Sequence, residues 1–181
     1  MAVHELEKEL EIKFKELRKK LLECSFLGMN SKQREAVFNV EGPVMVLAGA
    51  GSGKTTAIVK RIVNMVNYGN SYMSSDIPEG VTAETVELMQ KAYDEGEDAD
   101  KLKNLIRSDR ICPWNILAIT FTNKAASELK SRLFKALGDE GRDVWASTFH
   151  SMCARILRIH AERLGYSKHF VVYDDDDTKK L

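Results

Sequence analysis

The stretch that decides the fold is residues 43–55, Pro43-Val-Met-Val-Leu-Ala-Gly-Ala-Gly-Ser-Gly-Lys-Thr55. Its apolar run, residues 44–48, stops at glycines, and the segment that follows places apolar side chains on one side of a helix: Ile58, Val59, Ile62, Val63 and Val66. An unbroken apolar run of this length is typical of a strand buried on both faces. The sequence therefore predicts a buried strand, a glycine-rich turn and a helix.

The turn itself has the chemistry of a phosphate-binding loop. Residues 48–55 fit the pattern GxxxxGK[ST] at every fixed position except the first, where Ala48 replaces glycine. After a strand and before a helix, backbone N–H groups and the helix dipole point at the same anion. Lys54 is predicted to be the catalytic cation that reaches the β and γ phosphates, and the Thr55 hydroxyl to bind Mg²⁺. The predicted nucleotide-binding residues of the loop are Ala48, Gly49, Ala50, Gly51, Ser52, Gly53, Lys54, Thr55 and Thr56.

The strand-turn-helix unit occurs twice more. A strand over 116–121 precedes a helix from about 124 to 137, and a strand over 144–148 precedes a helix from about 150 to 164, which Gly165 ends. Alternating strands and helices indicate a parallel sheet covered by helices on both faces. The predicted fold class is α/β.

Two segments lie outside this alternation. Residues 2–24 predict an amphipathic helix lying on the domain's own core, a partner-binding helix being the alternative; its apolar stripe is Leu6, Leu10, Phe14, Leu17, Leu21 and Cys24. Residues 70–110 predict an acidic insertion of two short surface helices, for which a regulatory or partner-binding role is the alternative to a solvated excursion. The apolar stripes of these helices are Val86, Met89 and Tyr93, and Leu102, Leu105 and Ile106.

Composition limits the possible classes. The 181 residues are 44% hydrophobic and 30% charged, as in one compact domain, and 27 basic residues balance 27 acidic ones. That balance is uneven, because residues 69–110 carry a net charge of −5 and residues 111–173 carry +4. The absence of a membrane span or secretion signal in this sequence predicts a cytoplasmic protein. The three cysteines, Cys24, Cys112 and Cys153, predict reduced core thiols.

Three further segments resemble known motifs. Residues 29–37, Met-Asn-Ser-Lys-Gln-Arg-Glu-Ala-Val, resemble the adenine-reading motif of superfamily 1 helicases, in which Gln33 would select ATP over GTP. Residues 113–126, Pro-Trp-Asn-Ile-Leu-Ala-Ile-Thr-Phe-Thr-Asn-Lys-Ala-Ala, and residues 144–153, Val-Trp-Ala-Ser-Thr-Phe-His-Ser-Met-Cys, resemble the next two motifs of the UvrD, PcrA and Rep family.

The resemblance implies the first part of a RecA-like P-loop NTPase domain, truncated, from a helicase that uses ATP and Mg²⁺ to move 3′ to 5′ along single-stranded DNA. Phe121 would then stack on an unpaired base, and Thr122, Asn123, Thr148 and His150 would hold the strand's backbone. Without the motif, Phe121 would be read as a core residue, and Thr122, Asn123 and His150 as helix caps. The implied partners are single-stranded DNA and the remaining domains of the same helicase.

The carboxyl end leaves alternatives open. We predict an amino-terminal helix over 1–28 and the ATP-binding domain over 29–173, and the resemblance implies that 174–181 begin an accessory subdomain. Turnover would also need an acidic Mg²⁺ motif and arginines of a second motor domain, so the chain alone is expected to lack turnover. One alternative is a complete P-loop NTPase of another class, in which Asp174, Asp175, Asp176 and Asp177 bind the metal. The other is a non-catalytic interaction module that nucleotide switches.

Overall fold

The computed structural model describes residues 2–167, 169–173 and 179, and the side chains from residue 5 onward. The helices are α1 (Ala2–Cys24), α2 (Ser31–Phe38), α3 (Lys54–Asn67), α4 (Ala83–Asp94), α5 (Lys103–Ile106), α6 (Asn123–Leu137), α7 (Glu140–Asp143) and α8 (Phe149–His160). The strands are β1 (Leu117–Thr120) and β2 (Trp145–Thr148). Short 3₁₀ turns cover Ala99–Leu102, Pro113–Asn115 and Ala161–Leu164.

The two strands form a parallel pair flanked by helices, which confirms the predicted α/β class. Leu117 is paired with Trp145, and Thr120 with Thr148. Ala146 is buried with side chains of α3 and α6, whereas Arg155 of α8 lies over its neighbour Trp145. Because consecutive strand residues point to opposite faces, α6 and α8 cover opposite faces of the pair. Both predicted helices, and the left-handed Gly165 after the second, are confirmed.

The predicted buried strand at 44–48 is wrong. Residues 43–49 form no strand, and their side chains are exposed, Met45 to 83% and Leu47 to 86%. A strand is completed by hydrogen bonds to a neighbour, and the residues that the structure describes provide no strand beside this segment. The sequence pattern marks a segment suited to a sheet interior, but no residue that the structure describes covers it.

Helix α1 lies on the domain's own core, as predicted, and it packs mainly against α4. Phe14, Leu17 and Leu21 are buried in a cluster that also contains Val86 and Met89 of α4. Leu102 and Ile106 join the same cluster, whereas Leu6 at the start of the stripe is 69% exposed. Tyr93 is partly buried and Leu105 is exposed, but the other residues of the insertion's two stripes are buried in this cluster, so the insertion is more than a solvated excursion.

The structure also bears on the cysteines and on the length and hydropathy of the helices. All three cysteines are free thiols, as expected, but each is only partly buried and none is a core residue. Over the part of the chain that the structure describes, no helix combines the length and the apolar character that a membrane span needs.

The two ends of the insertion meet at Gly69. The Asn70 N–H donates to the Ser108 carbonyl at 2.8 Å, and the Ser108 N–H donates to the Tyr68 carbonyl at 3.1 Å. Gly69 has φ +65°, and a Cβ atom there would fall on the Ser108 carbonyl oxygen. A glycine is therefore required where the excursion leaves and rejoins the domain.

Replacing Gly69 with alanine is expected to lower the free energy of unfolding by about 3 kcal/mol, because a strained φ is combined with a backbone clash. Gly80→Ala is the matched control, since Gly80 has φ +85° but nothing within 4 Å of a Cβ atom. It should cost only about 1 kcal/mol, the left-handed penalty alone. Urea unfolding of both variants measures the difference. Equal losses in the free energy of unfolding would show that the clash with the Ser108 carbonyl adds nothing to the cost at Gly69.

Candidate nucleotide-binding site

The glycine-rich loop leads directly into α3 and leaves the start of that helix uncovered. Gly51 has φ +74° and Gly53 has φ +79°, a conformation that favours glycine. Gly53 is the residue before the helix, and no side chain caps the first turn. The first N–H groups of a helix have no partner within it, so those of α3 are open to an anion.

Lys54 is folded back onto the loop. Its Nζ donates to the carbonyl oxygens of Ala48, at 2.9 Å, and Gly49, at 2.6 Å, while the Ser52 hydroxyl donates to the Gly49 carbonyl at 2.8 Å. The loop therefore closes around the ammonium group. Thr55 and Thr56 follow in the first turn of α3, and both are exposed. The positions predicted to bind phosphate and Mg²⁺ are thus adjacent and open to solvent.

Gln33 connects helix α2 to this loop. Its Oε1 accepts a hydrogen bond from the Asn30 N–H at 3.0 Å, and its Nε2 donates to the Ser52 carbonyl at 3.0 Å. The Asn30 Oδ1 accepts in return from the Gln33 N–H at 2.9 Å. A Cβ atom at Gly53 would lie 2.9 Å from the Gln33 Nε2, so this glycine also permits the close approach of α2. The predicted adenine-reading side chain therefore lies against the loop.

Two residues that the sequence analysis missed fix α2 against α3. The Arg61 Nη1 donates to the Ala36 and Asn39 carbonyls, and the Asn64 Nδ2 donates to the Val37 carbonyl at 3.3 Å. The last carbonyls of a helix lack partners within it, and these side chains provide them. Burial lowers the pKa of the Arg61 guanidinium from its ordinary value. No sequence signal marks this pairing, because the partners are more than 20 residues apart.

A cavity of about 300 Å³ lies beside the loop, between α2, residues 44–46 and α3. Its walls are mostly apolar, with Ala36, Val44 and Ile58 among them, and the side chains of Lys54 and Arg61 provide its cations. Among the described residues, no group of three or more His, Cys, Asp and Glu side chains is placed to hold a metal ion. Asp174 to Asp177 lie outside the described residues.

The predicted DNA-contact residues gather at the carboxyl end of the strand pair. Phe121 and Thr122 follow β1 directly, and Thr148 ends β2 opposite Thr120. Phe121 is fully exposed, so it is not a core residue. The carboxyl ends of parallel strands face the same crevice, and an open α/β sheet binds its ligands there.

The polar members of the set also begin helices. The Thr122 Oγ1 accepts from the Ala125 N–H at 3.1 Å, and the Thr148 Oγ1 accepts from the Ser151 N–H at 3.3 Å. Thr148 is buried, which suits a positioning role, whereas Asn123 and His150 are exposed in the first turns of α6 and α8. The capping role of the two threonines is compatible with their predicted role, which stays a prediction.

Comparison of the sequence with known proteins identifies the family of this chain. The UvrD/REP helicase N-terminal domain model matches residues 29–77 and 99–181. The ATP-dependent DNA helicase PcrA of Staphylococcus epidermidis is 39% identical over 154 residues, covering 85% of this chain and 16% of that protein. PcrA of Staphylococcus aureus strain Mu50 is 39% identical over 153 residues, covering 84% and 16%. The chain thus spans about a sixth of the length of these relatives. It belongs to the UvrD/REP helicase N-terminal domain family.

Proposed function

We propose that this chain is the ATP-binding front portion of an ATP-dependent DNA helicase that moves 3′ to 5′ along single-stranded DNA in the cytoplasm. The observation that carries the proposal is the loop of residues 48–55, with left-handed Gly51 and Gly53 and an uncapped α3, in a chain of the UvrD/REP family. The relatives named PcrA support the rest, since they are ATP-dependent DNA helicases.

The loop residues have the chemistry to bind a nucleoside triphosphate. Free N–H groups at the start of α3 would bind the phosphates, and Lys54 would exchange the Ala48 and Gly49 carbonyls for phosphate oxygens. Thr55 would hold Mg²⁺ together with those oxygens. Bound Mg²⁺ neutralises charge that develops on the transferring phosphoryl group. Gln33 would present its amide to the adenine edge after releasing Asn30 and Ser52.

The residues at the carboxyl ends of β1 and β2 would bind the DNA. Phe121 offers an exposed ring on which an unpaired base can stack without regard to sequence. Asn123 and His150 would contact the phosphodiester backbone, with Thr122 and Thr148 fixing the turns that carry them. We propose negligible turnover by the chain alone, because the second motor domain's arginines complete such a site.

Replacing Gln33 with alanine is expected to lower the preference for ATP over GTP at least about fivefold, because a paired amide contributes roughly 1–3 kcal/mol of discrimination between bases. The measurement is the ratio of dissociation constants for the two nucleotides with Mg²⁺, by equilibrium binding to the 181-residue chain.

The matched control is Gln90→Ala, the chain's only other glutamine, which lies on α4 and bonds to Asp94. It should leave the ratio unchanged. An unchanged ratio in Gln33→Ala as well would leave Gln33 as a capping residue of α2, and absence of any nucleotide binding by the unmodified chain would contradict the proposed function.

A further inference from the structure

A second pocket lies along β2, beside residues 144–147. It has a volume of about 370 Å³, and it is lined by Trp114 from the 3₁₀ turn before β1, Trp145 at the start of β2, Lys130 of α6 and Arg155 of α8. Trp114 and Trp145 are the only two tryptophans of the chain. The lining also includes Ala146 and Ser147 of β2, so the pocket reaches the residue before Thr148 and adjoins the predicted DNA-contact residues.

The pocket combines flat aromatic surfaces with cations. The Arg155 guanidinium lies 4.7 Å from the centre of the Trp145 ring, and Trp114 is 66% exposed. Lys130 and Arg155 take part in no ion pair within the described ranges, whereas the third cation, Arg142, is paired with Asp139 at 3.0 Å. Asp143 is the one acidic residue of the lining, so the pocket is net positive.

This chemistry matches an unpaired nucleotide. Aromatic rings and stacked guanidinium groups bind the faces of bases, and lysine and arginine bind phosphates. An acidic protein segment would use the cations but would leave the exposed indole without a partner. We propose that this pocket is a second contact for single-stranded DNA, in which Trp114 stacks on a base and Lys130 and Arg155 bind phosphate. The proposal rests on the proposed function.

Tryptophan fluorescence reports the pocket directly, because both tryptophans line it. Titrating the 181-residue chain with oligothymidylate at low salt should quench the emission. Trp114→Ala is expected to weaken binding at least about fivefold, the loss of one stacked base. Lys130→Glu and Arg155→Glu should each weaken it by a similar factor and reduce the slope of log affinity against log salt by about 0.7. Circular dichroism checks that each variant is folded.

Lys135→Glu is the matched control, since it makes the same charge change on α6 outside the pocket. Wild-type affinity in this control, with weakened binding in Lys130→Glu, supports the pocket. Suppose that Phe121→Ala weakens DNA binding, while the pocket variants bind with wild-type affinity and DNA does not quench the tryptophan emission. The proposal for the pocket is then overturned, and the proposed function stands. If polyglutamate quenches as strongly as oligothymidylate, an acidic protein is the ligand and the proposal fails. If the unmodified chain binds no DNA, both DNA surfaces are overturned.

Discussion

Replacing Lys54 with alanine is expected to weaken ATP binding about 10- to 150-fold, because a hydrogen bond to a charged group contributes roughly 1.5–3 kcal/mol. The Lys54 ammonium group is already positioned among the loop carbonyls, so its transfer to phosphate needs only a local movement. Equilibrium binding of ATP with Mg²⁺ measures the effect, and steady-state hydrolysis with single-stranded DNA is recorded in parallel.

The control for this variant is Lys91→Ala, which removes one exposed lysine from α4, where it pairs with Glu95. Its affinity for ATP should equal that of the unmodified chain. Hydrolysis by the unmodified chain should not exceed that of Lys54→Ala. Clear turnover that disappears both in Lys54→Ala and when Asp174 to Asp177 are changed to asparagine would favour a complete NTPase with its metal site at those aspartates.

Replacing Phe14 with alanine is expected to lower the free energy of unfolding by about 3–5 kcal/mol, the range for truncating a fully buried phenylalanine. Phe14 is completely buried, and it belongs to the cluster that joins α1 to α4. The Arg18 guanidinium lies 5.4 Å from the centre of its ring, so the truncation also uncovers a buried cation. Urea unfolding followed by circular dichroism measures the loss.

Leu6→Ala is the control on the same helix. Leu6 belongs to the same apolar stripe in sequence but is 69% exposed, so its truncation should change stability by less than about 0.5 kcal/mol. Equal losses at both positions would mean that α1 does not pack as described. A loss confined to Phe14 would show that α1 and the insertion stabilise each other.

The elements that sequence predicts well are those whose pattern is local. The apolar alternation that marks α6 and α8 is set by neighbours three and four residues away, and each helix begins at a threonine cap that the sequence displays. The glycine-rich turn before α3 is predictable for the same reason, since its glycines, lysine and threonine are contiguous. The gathering of Phe121, Thr122 and Thr148 at the carboxyl ends of the strands also follows, once the two strands are taken to be parallel.

What sequence does not predict depends on distant partners. Arg18 looks like one of the solvent-facing charges of α1, yet it is completely buried, where it donates to the carbonyls of Ser74 and Asp76. Burial lowers the pKa of this guanidinium from its ordinary value. These carbonyls are more than 50 residues away in sequence, and no local pattern announces them. The bond from Gln33 to the Ser52 carbonyl is hidden for the same reason.

The uncovered segment at residues 43–49 has a consequence for how this chain behaves in solution. Among the described residues, the backbone groups of residues 44–47 have no hydrogen-bond partner, and the side chains of Val44, Met45, Val46 and Leu47 are exposed. Such a segment is a template on which another chain can add a strand. The segment has no charge and, after Pro43, no proline to oppose such pairing. Handling at high concentration should therefore favour intermolecular strand pairing, and aspartate or lysine at Met45 or Leu47 should improve colloidal stability.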